Sequence, residues 1–185
     1  SVGSVAAIEL ARELIGRGRQ VALVALFDAA GPDAAAFAPQ RSELIRIHLS
    51  ELRRDPVAYV RARLSHQRAV FARRLEIAEI AARSRLGLTL PDRLRVRRFV
   101  EGNIESATTL EMDPIALRLT VFKATEDPFT APLARHQMGW ARIALGGVNV
   151  VTVPGGHLSM LAEPHVETLA AELDRALAAA LGRDD

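Results

Sequence analysis

Residues 1–20 read SVGSVAAIELARELIGRGRQ, and residues 21–28 continue as VALVALFD. Small and apolar residues on most sides of the first stretch predict a buried helix, which Gly16 and Gly18 end. The second stretch is an uninterrupted apolar run of strand length, and such a run is typical of a parallel strand buried on both faces. The sequence therefore predicts a serine, a helix and a buried strand that ends in Asp28, in this order.

The alternation of strand and helix returns towards the C-terminus. LRLTVFKA at residues 117–124 and VNVVTV at residues 148–153 predict two more strands, with a helix at 134–145 between them and an amphipathic helix at 166–181 after them. Strands that alternate with helices predict an α/β fold with a mostly parallel sheet. Because three strands would leave the sheet edges poorly protected, we expect N-terminal strands that are missing from this chain and lead into Ser1.

The middle of the chain is helical and basic. Between residues 41 and 100 there are fifteen arginines and six acidic residues, a net charge of +9, which leaves −7 on the rest because the total is +2. We interpret residues 33–112 as a helical insertion, and residues 1–32 and 113–185 as the α/β core. Apolar residues of the insertion recur at steps of three, four or seven and form one stripe: Val57, Val60, Leu64, Phe71, Leu75 and Ala78.

This stripe has to cover something, so we expect Phe71 and Leu75 to be buried on one side of their helix. The arginines, Arg73 and Arg74 among them, would then face outward. A basic segment on an acidic body indicates an anionic partner, although a solvated helix surface rich in arginine has the same composition.

The composition argues against several classes of protein. There is no cysteine, which excludes disulfides, thiolate metal sites and a cysteine nucleophile within these residues, and the five histidines have no metal-ligand spacing. Basic residues without interleaved aromatic residues or a binding motif argue against nucleic acid as a partner. No apolar run has membrane-spanning length and no signal peptide begins at residue 1, so we expect a cytoplasmic enzyme without a metal or a membrane partner.

Three residues with the side chains of a nucleophile, an acid and a base are predicted to meet at one sheet edge. Asp28 ends a strand, His157 follows the last strand in the sequence PGGH, and Ser1 precedes a helix. Reactive groups of α/β enzymes gather at the carboxyl ends of parallel strands. A serine before a helix is by itself often only a cap. The chain order Ser, Asp, His, however, is that of α/β-hydrolase triads.

The opening resembles the nucleophile turn and following helix of type I thioesterase domains, which peptide and polyketide synthases carry and which read roughly S-x-G-G-x-x-A-x-E-x-A-R-x-L. The matching residues are Ser1, Gly3, Ala7, Glu9, Ala11, Arg12 and Leu14, with Ser4 in place of the second glycine. The strand ending in Asp28 and residues 139–173, which include Trp140 and His157, are similar to later blocks of that family. Trp140 matches the family's tryptophan, although we expect it to be a core residue.

The resemblance implies an α/β-hydrolase fold with a large helical lid, and a thioesterase that forms an acyl-serine intermediate. Ser1, Asp28 and His157 would be the catalytic triad, and the backbone N–H of Val2 one oxyanion donor. No bound cofactor is implied, since the substrate would arrive as a thioester on the phosphopantetheine of a carrier domain. The acyl or peptidyl chain would leave by macrocyclisation or hydrolysis, and the large lid is similar to those of peptide and depsipeptide synthetases.

The stripe and the arginines of the lid indicate roles for these residues in such a thioesterase. Phe71 and Leu75 would line the cavity for the acyl chain, and the outward Arg73 and Arg74 would contact the carrier domain. Asp127 is an alternative acid, because free-standing editing (type II) thioesterases place their acid after the later strand. An editing thioesterase and a catalytically inactive, hydrolase-like binding module are therefore the alternative functions. An N-terminal serine activated by its own amine would explain Ser1 alone, but none of the other matching blocks.

Overall fold

The computed structural model describes residues 2–109, 111–126 and 130–182. The chain divides into two compact units, one formed by Ser1–Gln40 with Glu111–Asp185 and the other by Arg41–Leu110. The helices are α1 (Val2–Gly16), α2 (Arg41–Arg54), α3 (Pro56–Arg85), α4 (Asp92–Thr109), α5 (Ala131–Ala134) and α6 (His165–Ala180). The strands are β1 (Val24–Phe27), β2 (Leu119–Ala124) and β3 (Val148–Val153), and short 3₁₀ turns occur at Pro32–Phe37, Gln137–Gly139 and Ser159–Leu161.

The first unit contains a parallel sheet in the order β1-β2-β3. All six residues of the central strand β2 are buried, whereas β1 buries Val24 and Leu26 and leaves Phe27 partly exposed. The prediction that the first strand is buried on both faces is therefore wrong at Phe27, although Ala25 on the same face packs against a buried cluster. β1 lies at an edge of the described sheet and pairs with β2 alone.

Helices cover both faces of this sheet. On one face, Ile8 and Ala11 of α1 belong to a buried cluster with Leu26, Val121 and Trp140. A second cluster joins the other face to α6 and to the turn that precedes it: Phe122, Ala124, Val153, Met160 and Leu169. A parallel sheet between helical layers is the α/β architecture predicted from the sequence.

The helix predicted at 134–145 is not present. α5 is a single turn, and three successive residues after it, Gln137, Met138 and Gly139, have positive φ of 52°, 55° and 78°. A right-handed helix cannot continue through such backbone. A Cβ on Gly139 would lie 2.5 Å from the backbone nitrogen of Ala34, so close packing of two backbone segments replaces the helix.

The second unit consists of α2, α3 and α4. Asp55 begins α3 by accepting a hydrogen bond from the N–H of Ala58 at 2.8 Å, and Pro56 occupies its first turn. Ion pairs then connect α3 to α4 in antiparallel register: Arg73 with Glu101 (2.7 Å), Glu76 with Arg97 (2.6 Å) and Glu79 with Arg93 (2.9 Å).

The placement of the apolar stripe differs from the expectation. Phe71 and Leu75 are 64% and 56% exposed, so their expected burial is wrong. Arg73 does not simply face outward, because its guanidinium binds Glu101 of α4. Arg74 is exposed and makes no ion pair within the described ranges. The physical reason is that α3 turns its Arg/Glu face towards α4, on a different side from the stripe.

Candidate active site

Asp28 extends β1 by one residue and then turns the chain. Its N–H donates a hydrogen bond to the carbonyl oxygen of Phe122 at 2.7 Å, which continues the β1–β2 pairing. Its φ is +43°, a left-handed conformation that Asp adopts more readily than most residues. The turn places the carboxylate at the carboxyl end of β2, where Oδ1 accepts the N–H of Ala124 at 3.1 Å.

His157 meets this carboxylate from the loop after β3. Its Nδ1 lies 3.0 Å from Oδ2 of Asp28. The Asp28 side chain is 8% exposed and that of His157 is 55% exposed, so the acid is enclosed while the imidazole is accessible. The two residues proposed from sequence as acid and base are thus hydrogen bonded, although they are 129 positions apart in the chain.

The environment of Asp28 keeps it ionised. Burial raises the pKa of Asp28, but the hydrogen bond from His157, the charge of Lys123 and the hydrogen bond from Ala124 outweigh it, so the pKa lies below its ordinary value. An ionised carboxylate can only accept hydrogen bonds, so Nδ1 of His157 carries the proton. In a neutral imidazole with this tautomer, Nε2 has a lone pair and suits a general base.

Two glycines before His157, Gly155 and Gly156, lie in close contact with neighbouring residues. Gly155 has φ +93°, and a Cβ there would lie 2.9 Å from the His165 ring. The N–H of Gly156 donates to Ser159 Oγ at 2.8 Å, and the carbonyl oxygen of Gly155 accepts the N–H of Glu126 at 3.0 Å. This glycine pair therefore lets the loop approach the end of β2 closely enough to deliver His157 to Asp28.

Trp140 supports the backbone next to Asp28. It is 1% exposed, and its Nε1–H donates to the carbonyl oxygen of Ala29 at 2.9 Å. The prediction that Trp140 is a core residue is confirmed.

Ser1 and Asp127, the proposed nucleophile and the alternative acid, lie outside the described residues. Val2 is the first residue of α1, and the first amides of a helix have no acceptor within it. Its role as an oxyanion donor stays a prediction. Within the described ranges no group of three or more His, Asp or Glu residues could hold a metal ion, and no helix is long and apolar enough to cross a membrane.

Lys123 belongs to this site but was not predicted from the sequence. This residue of β2 is 2% exposed, and its Nζ lies 3.3 Å from Oδ1 of Asp28. A signal was available in the sequence, because Lys123 is the only lysine among 24 basic residues and stands within an apolar strand. A charged side chain in a buried strand requires a partner.

No family model matches the chain, and no curated protein sequence matches it. Among solved structures, a covalent complex of the NocB thioesterase domain with a fluorophosphonate nocardicin G analog is similar. Its TM-score is 0.54 at 23% identity, over 96% of this chain and 63% of that one. Human thioesterase 2 has a TM-score of 0.50 at 18% identity, over 97% of this chain and 71% of that one.

The wild-type Vlm2 thioesterase domain has a TM-score of 0.49 at 23% identity, over 95% of this chain and 61% of its own. This chain therefore spans about three fifths of the length of the Vlm2 and NocB domains. The similarity to NocB, together with the parallel sheet and its helical layers, shows that the chain has the α/β-hydrolase fold of thioesterase domains, as predicted from the sequence.

Proposed function

We propose that this chain is part of a serine thioesterase that releases an acyl or peptidyl chain from a carrier domain. The observation that carries the proposal is the Asp28–His157 hydrogen bond at the carboxyl edge of a parallel sheet, in a fold shared with thioesterase domains. The enclosed acid and the accessible imidazole have the arrangement of a charge-stabilised general base. Ser1 precedes α1, which makes it the candidate nucleophile.

The proposed reaction has two acyl-transfer steps. Nε2 of His157 takes the proton of the Ser1 hydroxyl as its oxygen attacks the thioester carbonyl, and the imidazolium then returns the proton to the departing thiolate. The N–H of Val2 donates to the oxyanion. Water, or an amine or hydroxyl of the acyl chain itself, next attacks the acyl-serine ester, with His157 again accepting and returning a proton. Hydrolysis or macrocyclisation is the outcome.

The composition of the helical unit is consistent with a substrate that is bound to a carrier domain. It holds most of the chain's arginines, and a phosphopantetheine arm carries a phosphate. The exposed apolar stripe on α3, which includes Phe71 and Leu75, offers a surface for an acyl chain or for closure as a lid. We propose that Arg74 contributes to the carrier contact. Arg73 is a weaker candidate for this role because it is engaged with Glu101.

A serine-directed fluorophosphonate tests the nucleophile in the full-length protein. We expect one covalent adduct, which peptide mass spectrometry maps to Ser1. His157→Ala should slow labelling on the order of a thousandfold or more, because the serine then has no general base. His66→Ala, on α3, is the matched control and should label at the wild-type rate.

The labelling pattern also separates the alternative functions. Absence of any adduct would indicate a hydrolase-like binding module. Asp28→Asn should slow labelling far more than Asp127→Asn if Asp28 is the acid, and the reverse order would favour the editing thioesterases. Product analysis with a carrier-bound substrate then distinguishes a cyclic from a linear product.

A further inference from the structure

Lys123 is the chain's single lysine, and it lies in the core of the first unit. Its side chain is 3% exposed, on the central strand β2. The other basic residues of the sequence are arginines, most of them in the helical unit. Burying an ammonium group is costly unless it is paired and hydrogen bonded. The partners of Lys123 therefore indicate why a charge is kept at this position.

Within the described part of the chain, Lys123 has two partners, Asp28 and Ala124, and both lie at the end of β2. Nζ is 3.3 Å from Oδ1 of Asp28, and it donates a hydrogen bond to the carbonyl oxygen of Ala124. Oδ1 also accepts the N–H of Ala124 at 3.1 Å. Two donors from β2 thus engage one oxygen of Asp28, and the other oxygen, Oδ2, faces Nδ1 of His157 at 3.0 Å.

We propose that Lys123 is a positioning residue for the catalytic acid: its ammonium holds Oδ1 of Asp28 so that Oδ2 is presented to His157. The inference rests on the proposed function for its catalytic consequence, while the geometry itself involves only Asp28, Lys123 and His157. In this arrangement Oδ1 is fixed by Ala124 and Lys123, and Oδ2 is left to bind the imidazole of His157. Rotation of the carboxylate away from the imidazole would break the contacts with Ala124 and Lys123.

Other titratable side chains near the His157 loop do not take over the contact that Lys123 makes with Asp28. Among the described residues, Glu126 and His165 lie beside the His157 loop, with Oε1 and Nε2 4.0 Å apart. Within the described ranges, neither makes an ion pair with Asp28 or Lys123. The surface pair Arg142–Asp33 has the same nitrogen-to-oxygen distance of 3.3 Å, but its side chains are 57% and 32% exposed. It therefore provides a matched control for the loss of an ion pair as such.

The test compares Lys123→Met, which keeps the length but removes the charge, with Lys123→Arg and with the control Arg142→Met, all in the full-length protein. Carbon-13 NMR of the aspartate carboxyls should show a raised pKa of Asp28 in Lys123→Met, because an opposite charge has been removed. The far-downfield Nδ1–H proton signal of His157 should weaken or disappear. Lys123→Arg should restore the pKa of Asp28 and the Nδ1–H signal of His157 in part, and Arg142→Met should change neither of them.

Kinetics with a soluble thioester adds an independent readout. For Lys123→Met we expect kcat to fall on the order of tenfold or more with KM nearly unchanged, short of the roughly ten-thousandfold effect of disabling a triad acid. If kcat, the pKa of Asp28 and the Nδ1–H signal all stay at wild-type values in a folded Lys123→Met protein, the proposal is wrong. Loss of stability with both NMR signals retained would mean a purely structural lysine and would equally overturn it.

A fold that does not tolerate Lys123→Met still leaves a decisive measurement. The nitrogen-15 signal of the Lys123 ammonium in the otherwise unchanged protein should move when Asp28 is replaced by Asn, whereas an unmoved signal would contradict the contact. These NMR results do not depend on the reaction. If fluorophosphonate fails to label Ser1 but the NMR changes occur, the proposed function fails and the positioning of Asp28 by Lys123 stands.

Discussion

Among the described residues Asp28 has four partners, three from the end of β2 and one from the loop after β3. Its N–H continues the ladder to Phe122, Oδ1 is held by Ala124 and Lys123, and Oδ2 faces His157. Left-handed backbone at a residue other than glycine persists where its surroundings over-determine it. The number and the directions of these contacts explain how Asp28 keeps a φ of +43°.

The lowered pKa of Asp28 predicts a pH-dependent contribution to stability. Because the folded-state pKa lies below the ordinary value of 3.8, the ionised carboxylate stabilises the fold fully above about that pH. This stabilisation is lost as the pH falls through the folded-state pKa. Asp28→Asn should therefore lower the free energy of unfolding at pH 7, and the difference from wild type should shrink below about pH 4.

Urea unfolding of the full-length protein at pH 7 and near pH 3 measures this difference. Asp33→Asn, which removes the carboxylate of the exposed Arg142 pair, is the control and should have a small effect at both pH values. A difference for Asp28→Asn that is the same at both pH values would contradict the assignment of Asp28 as an ionised acid stabilised by its partners.

In the second unit, α3 has a charged face that contacts α4 and an apolar face that is exposed. α3 directs Arg73, Glu76 and Glu79 to α4, and leaves its apolar stripe exposed. The hydrogen bond from Arg73 is the main reason that the pKa of Glu101 lies below its ordinary value. Glu101 is therefore ionised at neutral pH, and Arg73 serves the α3–α4 contact.

The neighbours Arg73 and Arg74 should consequently respond differently to charge reversal. Arg73→Glu places a second carboxylate opposite Glu101 and should loosen α3 and α4, which hydrogen exchange of their amides would detect. Arg74→Glu should leave this exchange unchanged. If Arg74 contacts the carrier, Arg74→Glu should slow acyl loading from a carrier-bound substrate, with little effect on a small soluble thioester.

Salt provides the internal check on this prediction. Raised ionic strength should narrow the loading difference between wild type and Arg74→Glu, because exposed charges are screened over about a Debye length. A loading rate in Arg74→Glu that equals wild type at low salt would argue against a carrier contact at this position.

For the chain taken together, the exposed stripe on α3 is the surface proposed to act as a lid during the reaction. Phe71 and Leu75 are more than half exposed, so polar replacement removes little buried area and should leave stability nearly unchanged. If the stripe excludes water from the acyl-enzyme as a lid, Phe71→Ser combined with Leu75→Ser should raise the ratio of linear to cyclic product.

Liquid chromatography of the products from a carrier-bound substrate measures this ratio. Phe99→Ser on α4 is a matched control, since Phe99 is 71% exposed but lies on another helix. A product ratio that is unchanged by the stripe variants, or changed equally by Phe99→Ser, would indicate that the stripe has no part in excluding water.

Features that depend on neighbouring residues were predictable from the sequence. Apolar runs predicted the three strands, and apolar patterns predicted α1, α6 and the helices of the insertion. The alternation of strands and helices predicted a parallel sheet. Asp28 and His157 were identifiable because each follows a strand, and parallel strands end at the same edge. This rule predicts that the two side chains lie near each other across 129 positions of the chain, and the structure shows that they are hydrogen bonded.

Which surfaces are covered and which charges are paired depends on contacts between elements that are distant in the sequence. β1 has one neighbouring strand in the described sheet. Residues 134–145 do not form the predicted helix, and Gly139 among them packs against the backbone of Ala34. α3 turns its charged face to α4. The partner of Lys123 likewise comes from another strand, 95 positions earlier in the sequence. Periodicity describes one element at a time, whereas burial and charge pairing depend on elements that only the folded chain brings together.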